Sequence, residues 1–374
     1  MKLHSKYFFM ITSTLQGPEM ALTAEEMKAR LVRYRDLIPC KTAFIDARTP
    51  GSDQKENFCI IGPGVAESPG QHVHVKISHG FNIGGARQPK GCLNSQHSHL
   101  TEEVFLVHSG AWAFRWGHDA KDGEVILRAG DVISIPVNVF RGFECVSDEE
   151  SFLFAILGDD DPGHVTWAPY VFEQAKGHGL VLTEAGRLVD TAAGEKIPDG
   201  DAPCRPTSED DLKLFRRMSY DEMNRCVVAA NEALLSAATE LAANSTGVKE
   251  APILGPANPS EGVAAAKIAH PHGFHFRKLV LDPAARIPPH SRAEEEVVFV
   301  QQGAITLFWG DRHLELEKGD TITIPKGLVR SWWAANPTVG ATIFVVRGGD
   351  APAAPKWIDD GAIVGKQKGF YLAS

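Results

Sequence analysis

The sequence has few cysteines, no long apolar run and no excess of positive charge, and each of these excludes a class of protein. The six cysteines form no C-x-x-C pair and no spacing typical of a disulfide framework, which predicts a reducing, cytoplasmic location. No apolar run is long enough to span a bilayer, so we expect no membrane partner. The formal net charge of −9 gives little attraction to phosphate groups, so we expect no nucleic-acid partner.

The length and the pattern of apolar residues predict two domains. A chain of 374 residues suits two units, each large enough to bury its own core. Short apolar runs broken by Gly, Pro and Asp predict strands in residues 42–160 and again in residues 251–350. We expect residues 1–41 to form a leader and a short helix, with Met10 or Met20 as alternative start points. Residues 161–250 are expected to form a polar connection with a helix, and residues 351–374 a C-terminal tail.

Two capping boxes predict helices outside the strand-rich regions. Thr23 and Glu26 have the required spacing, and apolar residues follow at helical intervals as far as Tyr34. Ser219 and Glu222 begin a run rich in Ala and Leu that continues to residue 242. The second run therefore predicts the one long helix of the chain, packed across the two domains or at a dimer contact.

The two strand-rich regions are copies of each other. From His79 to Trp116 the first copy matches the second at a constant offset of 193 residues, and after a loop of different length the offset is a constant 189. A single change of loop length between two constant frames indicates duplication of one folding unit. His79 matches His272, and we expect both to pack or to hydrogen-bond a turn.

The first copy contains a histidine pair followed by a carboxylate. His97 and His99 are two residues apart, so on a strand both side chains face the same side, and Glu103 begins the next strand where it can reach the same point. Two imidazoles and one carboxylate suit a divalent transition metal and leave coordination positions open. The alternative is a pair of histidines on a solvated strand. Glu102 is expected to face outward or toward the rim.

Two segments of the first copy resemble the two motifs of the cupin superfamily. The first motif is Gly, five residues, His-x-His, three or four residues, Glu, six residues and Gly, and residues 91–110 match it throughout: GCLNSQHSHLTEEVFLVHSG. Residues 130–141, GDVISIPVNVFR, follow the second motif, except that Asn138 replaces its glycine and Arg141 its histidine. The resemblance covers residues 72–157 and 264–347. It implies an all-β bicupin: two tandem double-stranded β-helix (jelly-roll) barrels, with an N-terminal helix and an inter-barrel helix.

Arg141 occupies the position of the family's fourth metal ligand. A guanidinium stays protonated and cannot ligate a metal. Three interpretations stay open: Arg141 forms an ion pair with Glu103 and the site is empty; it points away and is structural; or it lies beside the metal and clamps an anionic group of the substrate with two parallel hydrogen bonds. The third interpretation assigns Arg141 a catalytic role.

The second copy has lost part of the metal motif. Residues 290–296 read HSRAEEE, so Arg292 replaces the second histidine, and Arg330 stands at the position of the fourth ligand. One imidazole, one carboxylate and two guanidiniums repel a divalent cation. We expect Glu296 to pair with Arg292, Arg330 or both, in a barrel that is structural or holds a small anion.

The resemblance to metal-dependent cupin dioxygenases implies a function for the first barrel. One divalent metal, Fe(II) by preference and Mn, Ni, Co or Zn as alternatives, would bind His97, His99 and Glu103 and act with O₂ on a small aromatic or carboxylate-bearing substrate. Two alternatives stay open: a redox-neutral lyase, decarboxylase or isomerase, and a non-catalytic ligand-binding bicupin. Cupin barrels commonly join edge to edge, so a homodimer is also considered.

Two further groups of side chains have the residue types of a binding site. A second pair, His72 and His74, has no accompanying carboxylate, and we expect no metal there. Most of the aromatic residues of the first copy are expected in the core, with a few forming an apolar wall around an aromatic substrate: Phe81, Trp112, Phe114, Trp116, Phe140 and Phe143.

Overall fold

Two β-barrels, built one after the other along the chain, make up most of the structure, a computed structural model that describes residues 22–358. The prediction of an all-β, two-barrel architecture is confirmed. The alternative start points, most of the leader and the tail from residue 359 onward lie outside the described residues. Within the described part no helix has the length and apolar character needed to cross a membrane, and all six cysteines are free thiols.

The N-terminal barrel follows a short segment that contributes nothing to its sheets. That segment forms helix α1 (Ala24–Lys28) and strand β1 (Leu31–Val32). The barrel strands are β2 (Glu56–Ile61), β3 (Val73–Val75), β4 (Phe81–Gln88), β5 (Leu93–Ser98), β6 (Glu103–Val107), β7 (Ala111–Trp116), β8 (Gly123–Arg128), β9 (Val132–Ile135), β10 (Arg141–Cys145) and β11 (Ser151–Gly158). One sheet has the order β9-β6-β11-β4-β2-β3 and the other β5-β10-β7-β8.

The connection between the barrels combines short strands with short helices. It forms β12 (Thr166–Trp167), α2 (Pro169–Lys176), β13 (Leu180–Leu182), β14 (Leu188–Asp190), α3 (Glu209–Leu212), α4 (Tyr220–Asn224), β15 (Val227–Val228) and α5 (Glu240–Ala243). Strand β12 extends the second sheet of the N-terminal barrel by pairing with β5. The connection therefore packs on the N-terminal barrel and does not merely link the two barrels.

The C-terminal barrel repeats the strand order of the first. Its strands are β16 (Thr246–Leu254), β17 (Phe274–Ser291), β18 (Glu296–Gln302), β19 (Ile305–Trp309), β20 (Arg312–Leu316), β21 (Thr321–Ile324), β22 (Arg330–Ala334), β23 (Ala341–Gly348) and β24 (Lys356–Trp357). The 18-residue strand β17 pairs with β23 through its first half and with β22 through its second half, so it belongs to both faces of the barrel.

The prediction of one long helix from residue 219 to 242 is wrong. Helix α4 begins at the predicted capping box, where the Ser219 hydroxyl accepts from the Glu222 N–H, but it ends after five residues. Val227 and Val228 then form β15 and pair with β9. Sheet pairing by two β-branched residues outweighs the helix propensity of the alanines that follow.

The helix predicted from Thr23 is correct at its start and too long at its end. Both hydrogen bonds of the capping box between Thr23 and Glu26 are present. The helix ends at Lys28, because Leu31 lies in β1 and pairs with Ile322 of the C-terminal barrel. The apolar residues beyond Lys28 therefore serve a sheet edge in the other half of the molecule.

Each barrel is completed by the segment that precedes the other barrel. We name residues 22–34 the first arm and residues 218–230 the second arm. The first arm pairs with β21 of the C-terminal barrel, and the second arm pairs with β9 of the N-terminal barrel. Each arm buries one methionine completely, Met27 and Met223, which are 196 residues apart. The duplicated unit therefore includes the arm, and the arms are exchanged.

Matching hydrogen bonds hold the arms in place. The indole N–H of Trp309 donates to the carbonyl of Leu22 (2.9 Å), and the indole N–H of Trp116 donates to the carbonyl of Met218 (2.8 Å). A tryptophan in each barrel thus fixes the start of the arm that covers it.

The two barrels are also joined by reciprocal histidine bonds. The His272 ring Nε2 is 2.8 Å from the Ser134 hydroxyl of the N-terminal barrel, and the His79 ring contacts the Thr323 hydroxyl of the C-terminal barrel in the same way. The ring Nδ1 of His272 also bonds the carbonyl of His270 (2.8 Å), so the predicted local bond is confirmed. The sequence did not reveal the cross-barrel partners.

Candidate metal centre

The fold brings the three predicted metal ligands of the N-terminal barrel together. His97 lies on β5, His99 directly follows that strand, and Glu103 opens β6. One potential ligand atom from each residue lies within 4.8 Å of the others, and all three side chains are buried. Because both histidines line the same interior cavity, the predicted two-residue alternation is confirmed. Their role as ligands stays a prediction.

Burial keeps the two histidines neutral. Loss of water, followed by repulsion from Arg141, holds the pKa of His97 and of His99 well below the usual range of imidazole. The Nδ1 of His97 is 2.6 Å from the Ser95 carbonyl, which places the proton on Nδ1 and the lone pair on Nε2. A histidine whose second nitrogen is fixed by a backbone carbonyl is typical of metal ligands.

Trp167 fixes the ring of His97 from the other side. Its ring centroid is 5.1 Å from that of His97, and its indole N–H donates to the Glu67 carboxylate at 2.6 Å. Glu67 also accepts the backbone N–H of Ile45 (2.8 Å), and burial raises the pKa of Glu67 to about 8. This chain of contacts orients His97 through residues that lie outside the duplicated motif.

Arg141 lies against Glu103, in the position of the first of its three interpretations. Its guanidinium donates to the Glu103 carboxylate and, at 3.0 Å, to the His97 carbonyl. The second interpretation, in which Arg141 points away, is therefore wrong. Arg141 is fully buried and is not among the residues that line the cavity, so a clamp on a substrate would require it to leave Glu103. The clamp stays a prediction.

The ion pair offsets the cost of burying a carboxylate. Burial raises the pKa of Glu103, and the Arg141 charge and hydrogen bond lower it. Because a guanidinium stays protonated, it supports the ionised form of Glu103, which is the form that a metal requires.

The cavity beside these residues is mostly apolar. It measures about 680 Å³ out to its open mouth. Of the six aromatic residues considered as a wall, only Phe143 lines it, and the other five are buried in the core or beneath neighbouring segments. The remaining aromatic walls were not predicted, because they come from other segments: Phe44, Phe58, Phe105 and Trp167.

The donor set fits a divalent transition metal. His97, His99 and Glu103 offer two neutral imidazoles and one carboxylate, and the Nε2 of His99 lies 3.7 Å from the Glu103 carboxylate, close enough for one ion to bind both. The ligand number leaves positions open for a substrate.

The corresponding position of the C-terminal barrel is filled by ion pairs. The Arg330 guanidinium donates to Glu296 at 2.6 Å, and the Arg292 Nε lies 3.9 Å from the same carboxylate. The predicted pairing of Glu296 is therefore confirmed. The neighbouring arginines hold the pKa of Glu296 well below its usual range.

The sequence did not reveal the second carboxylate of this network. Glu261 contacts three guanidiniums, those of Arg277, Arg292 and Arg347, the last at 3.1 Å. It is 1% exposed, and the arginines lower its pKa to about 2. Glu261 precedes the duplicated motif, so no repeat drew attention to it.

Comparisons with other proteins agree with the architecture. Residues 277–347 match the model of the cupin domain (Cupin_2). Two solved structures, both variants of oxalate decarboxylase from Bacillus subtilis, superpose with a TM-score of 0.51. One is 10% identical and covers 87% of this chain and 78% of that chain; the other is 11% identical and covers 92% and 84%. No curated protein matches the sequence.

These observations define the class of the protein. It contains two tandem jelly-roll barrels with a candidate metal site in the first and an ion-pair network in the second. The C-terminal barrel therefore contains a match to the cupin domain over residues 277–347, and the chain as a whole has a two-barrel fold similar to that of the oxalate decarboxylases.

Proposed function

We propose that the N-terminal barrel is the active site of a metal-dependent enzyme, and that its reaction is a redox-neutral cleavage such as a decarboxylation. The observation that carries the proposal is the convergence of His97, His99 and Glu103 in one largely apolar cavity. The similarity of the fold to oxalate decarboxylases favours a decarboxylase over the dioxygenase implied by the resemblance, although fold alone does not determine a reaction.

A decarboxylation uses the features that the cavity offers. A bound metal would act as a Lewis acid on an oxygen of the substrate. The apolar walls would remove water from the reacting carboxylate, whose charge is lost when carbon dioxide leaves. The bond to the carboxylate breaks, its electron pair stays on the remaining carbon, and a proton takes the place of the carbon dioxide. No external oxidant is needed.

The walls of the cavity indicate the class of substrate. Its aromatic lining includes Phe58, Phe105 and Trp167, and no lysine or arginine of the described residues lines it. Oxalate, which consists of two carboxylates, would gain nothing from such walls. We propose an acid or phenol with an apolar, preferably aromatic, body. Arg141 would then act as a positioning residue that keeps Glu103 ionised and oriented.

A dioxygenase is the second candidate. Two histidines and one carboxylate are also the ligands of non-haem iron oxygenases, in which the open positions hold substrate and O₂. Fe(II) is then the preferred metal, with Mn(II), Ni(II), Co(II) or Zn(II) suited to the redox-neutral reaction.

The two candidates differ in their need for O₂. Protein loaded with Fe(II) or Mn(II) would be incubated with a panel of hydroxylated aromatic acids, with and without O₂, and the release of carbon dioxide and the uptake of O₂ measured. Release without O₂ supports the decarboxylase. Turnover that requires O₂ overturns it in favour of the dioxygenase. Ligand binding without turnover on any metal would indicate a binding protein.

A matched pair of variants shows which barrel acts. His97→Ala should lose the metal of the N-terminal barrel and the activity, whereas His290→Ala changes the equivalent position of the second barrel and should retain both. Equal loss of activity in the two variants would contradict a site confined to the N-terminal barrel.

A further inference from the structure

The interface between the barrels has two halves that are related by the duplication but differ in charge. In one half, Arg30 of the first arm donates to Glu295 at 3.1 Å. Glu102 is the counterpart of Glu295, and Cys226 of the second arm, 196 residues after Arg30, is the counterpart of that arginine. Glu295 therefore has an arginine partner, whereas its counterpart Glu102 has a cysteine at the equivalent position of the arm.

Glu102 is left with unused hydrogen-bonding capacity. Its Oε2 is buried and accepts no hydrogen bond of normal geometry from residues 22–358. The other oxygen of this carboxylate, Oε1, lies 3.6 Å from the Nε2 of His270. His270 replaces Ile77, which lies 193 residues earlier in the first copy. Compared with the first half of the interface, the second half therefore lacks the arginine of the arm and has an additional imidazole in the barrel.

His272 completes a set of three donors. One potential ligand atom of Glu102, His270 and His272 lies within 4.8 Å of the others. The Nδ1 of His272 bonds the His270 carbonyl at 2.8 Å, which leaves the lone pair on Nε2. That Nε2 now accepts from the Ser134 hydroxyl, a contact that a metal would replace.

The first half of the interface acts as an internal control. His79 makes the same two kinds of contact, with Ile77 and Thr323, and no second histidine accompanies it. The bond between His272 and Ser134 is therefore explained by the joining of the barrels. The extra histidine and the unpaired carboxylate oxygen are not explained by it.

We propose that Glu102, His270 and His272 bind a divalent transition metal between the two barrels, with the Cys226 thiol as the candidate fourth donor. Cys226 lines the same solvent-open cavity as Glu102 and His270, but its Sγ is outside the group of donor atoms that lie within 4.8 Å of one another and donates to the Glu222 carbonyl at 3.6 Å, so the thiol would have to turn toward the metal to bind it. Two imidazoles, a carboxylate and a thiolate suit tetrahedral zinc or cobalt. The site is separate from the cavity of the N-terminal barrel, and the proposal does not rest on the proposed function.

Basic side chains also line this cavity, and two of them are already paired. Arg216 lies 3.3 Å from Glu222, and Lys267 lies 2.8 Å from Glu232. Their charge is therefore partly neutralised before a metal binds. A metal at this position would join the N-terminal and C-terminal barrels and stabilise the folded chain in proportion to its concentration.

The test counts metal ions per chain. The full-length protein would be titrated with Zn²⁺ by calorimetry and with Co²⁺ by visible absorption, first as wild type and then as Glu102→Gln and His270→Ala. His270 is about half exposed, with 45% of its side chain accessible, so its replacement should leave the fold intact. Each variant should lose one equivalent of metal or weaken its binding at least tenfold, and Cys226→Ser should shift the Co²⁺ absorption.

The matched control is His72→Ala, which removes one member of the other His-x-His pair and should change nothing. Binding that survives the combined Glu102→Gln and His270→Ala changes would overturn the proposal. The outcome is independent of the first barrel: if His97, His99 and Glu103 bind no metal, wild type binds one equivalent and His270→Ala none. If only the first barrel binds metal, His270→Ala retains the single equivalent and the proposal fails.

Discussion

Arg141 and Glu103 form a buried ion pair in the wall of the N-terminal barrel, beside the two histidines that face the cavity. The pair stands where the second cupin motif would supply a fourth metal ligand. Arg330 and Glu296 form the equivalent pair in the C-terminal barrel, at 2.6 Å. The duplicated position thus carries the same ion pair in both barrels, and only the first barrel keeps both histidines.

Replacement of Arg141 by Gln should weaken metal binding most strongly at low pH. The arginine opposes the rise in the pKa of Glu103 that burial causes, so its loss should raise that pKa further. Since the metal competes with the proton, each unit of rise should cost about tenfold in affinity at a pH below the new pKa. The measurement is the metal dissociation constant from pH 5.5 to 8. Arg330→Gln is the control.

The opposite result would separate the interpretations of Arg141. If Arg141→Gln binds metal more tightly at every pH, the guanidinium competes with the metal for Glu103, as the first interpretation states. If metal affinity is unchanged while a substrate acid binds more weakly, Arg141 acts as the clamp.

Replacement of Glu261 by Gln should destabilise the C-terminal barrel severely. The change leaves three buried guanidiniums, those of Arg277, Arg292 and Arg347, without their shared carboxylate. Loss of one partner from a buried ion-pair network costs about 3–5 kcal/mol of unfolding free energy. Denaturant unfolding measures it. Asp148→Asn, which breaks a pair on the surface, should have no measurable effect. A loss for Glu261→Gln as small as that control would show that the network relaxes.

Stability should fall as the pH drops from about 6.5 to 4, in part because of His108. Burial is the main cause that lowers the pKa of His108 to about 4, helped by the charge of Lys318 and opposed by the bond to Gln301. Below about pH 6.5 the unfolded chain therefore binds a proton at His108, whereas the folded chain does not until the pH approaches 4. Across this window His108 accounts for a loss of about 3 kcal/mol of unfolding free energy. His108→Gln should flatten the curve of unfolding free energy against pH. A curve with the same slope as wild type would contradict the assignment.

Replacement of either arm methionine by Ala should destabilise the barrel with which the arm pairs. The barrel that directly follows the arm in the sequence should keep its stability. Met27 packs in the core of the C-terminal barrel and Met223 in that of the N-terminal barrel, and both are fully buried. Each replacement should cost about 2–5 kcal/mol. Hydrogen exchange, followed barrel by barrel, should accelerate in β18 and β21 for Met27→Ala and in β6 and β9 for Met223→Ala. Faster exchange in the nearer barrel along the chain would contradict the exchange of arms.

The sequence predicted the parts of the site that lie within one motif. His97, His99 and Glu103 could be placed together because strand alternation and the short connection from β5 to β6 determine where they point. The same reasoning paired Glu296 with Arg330. In each case the partners belong to the repeated motifs of one barrel.

The sequence failed where partners come from distant segments. Glu261 and the cavity wall at Phe44 are brought to their sites by packing that no local pattern encodes. The prediction of a long helix after Ser219 failed for a related reason. The local structure there is determined by the pairing of Val227 with Ile133, which is distant in the sequence. One clue was available: the capping boxes at Thr23 and Ser219 are 196 residues apart and each is followed by Glu-Met, which marks the arms as copies.

The exchange of arms also sets an order for biosynthesis. When the last strand of the N-terminal barrel leaves the ribosome, the edge of β9 is still bare, because its covering strand lies about seventy residues further along the chain. The first arm, made before either barrel, must wait for β21, almost three hundred residues later. A nascent chain therefore cannot close its first barrel as an autonomous unit, and full cooperativity should arise only near the end of translation.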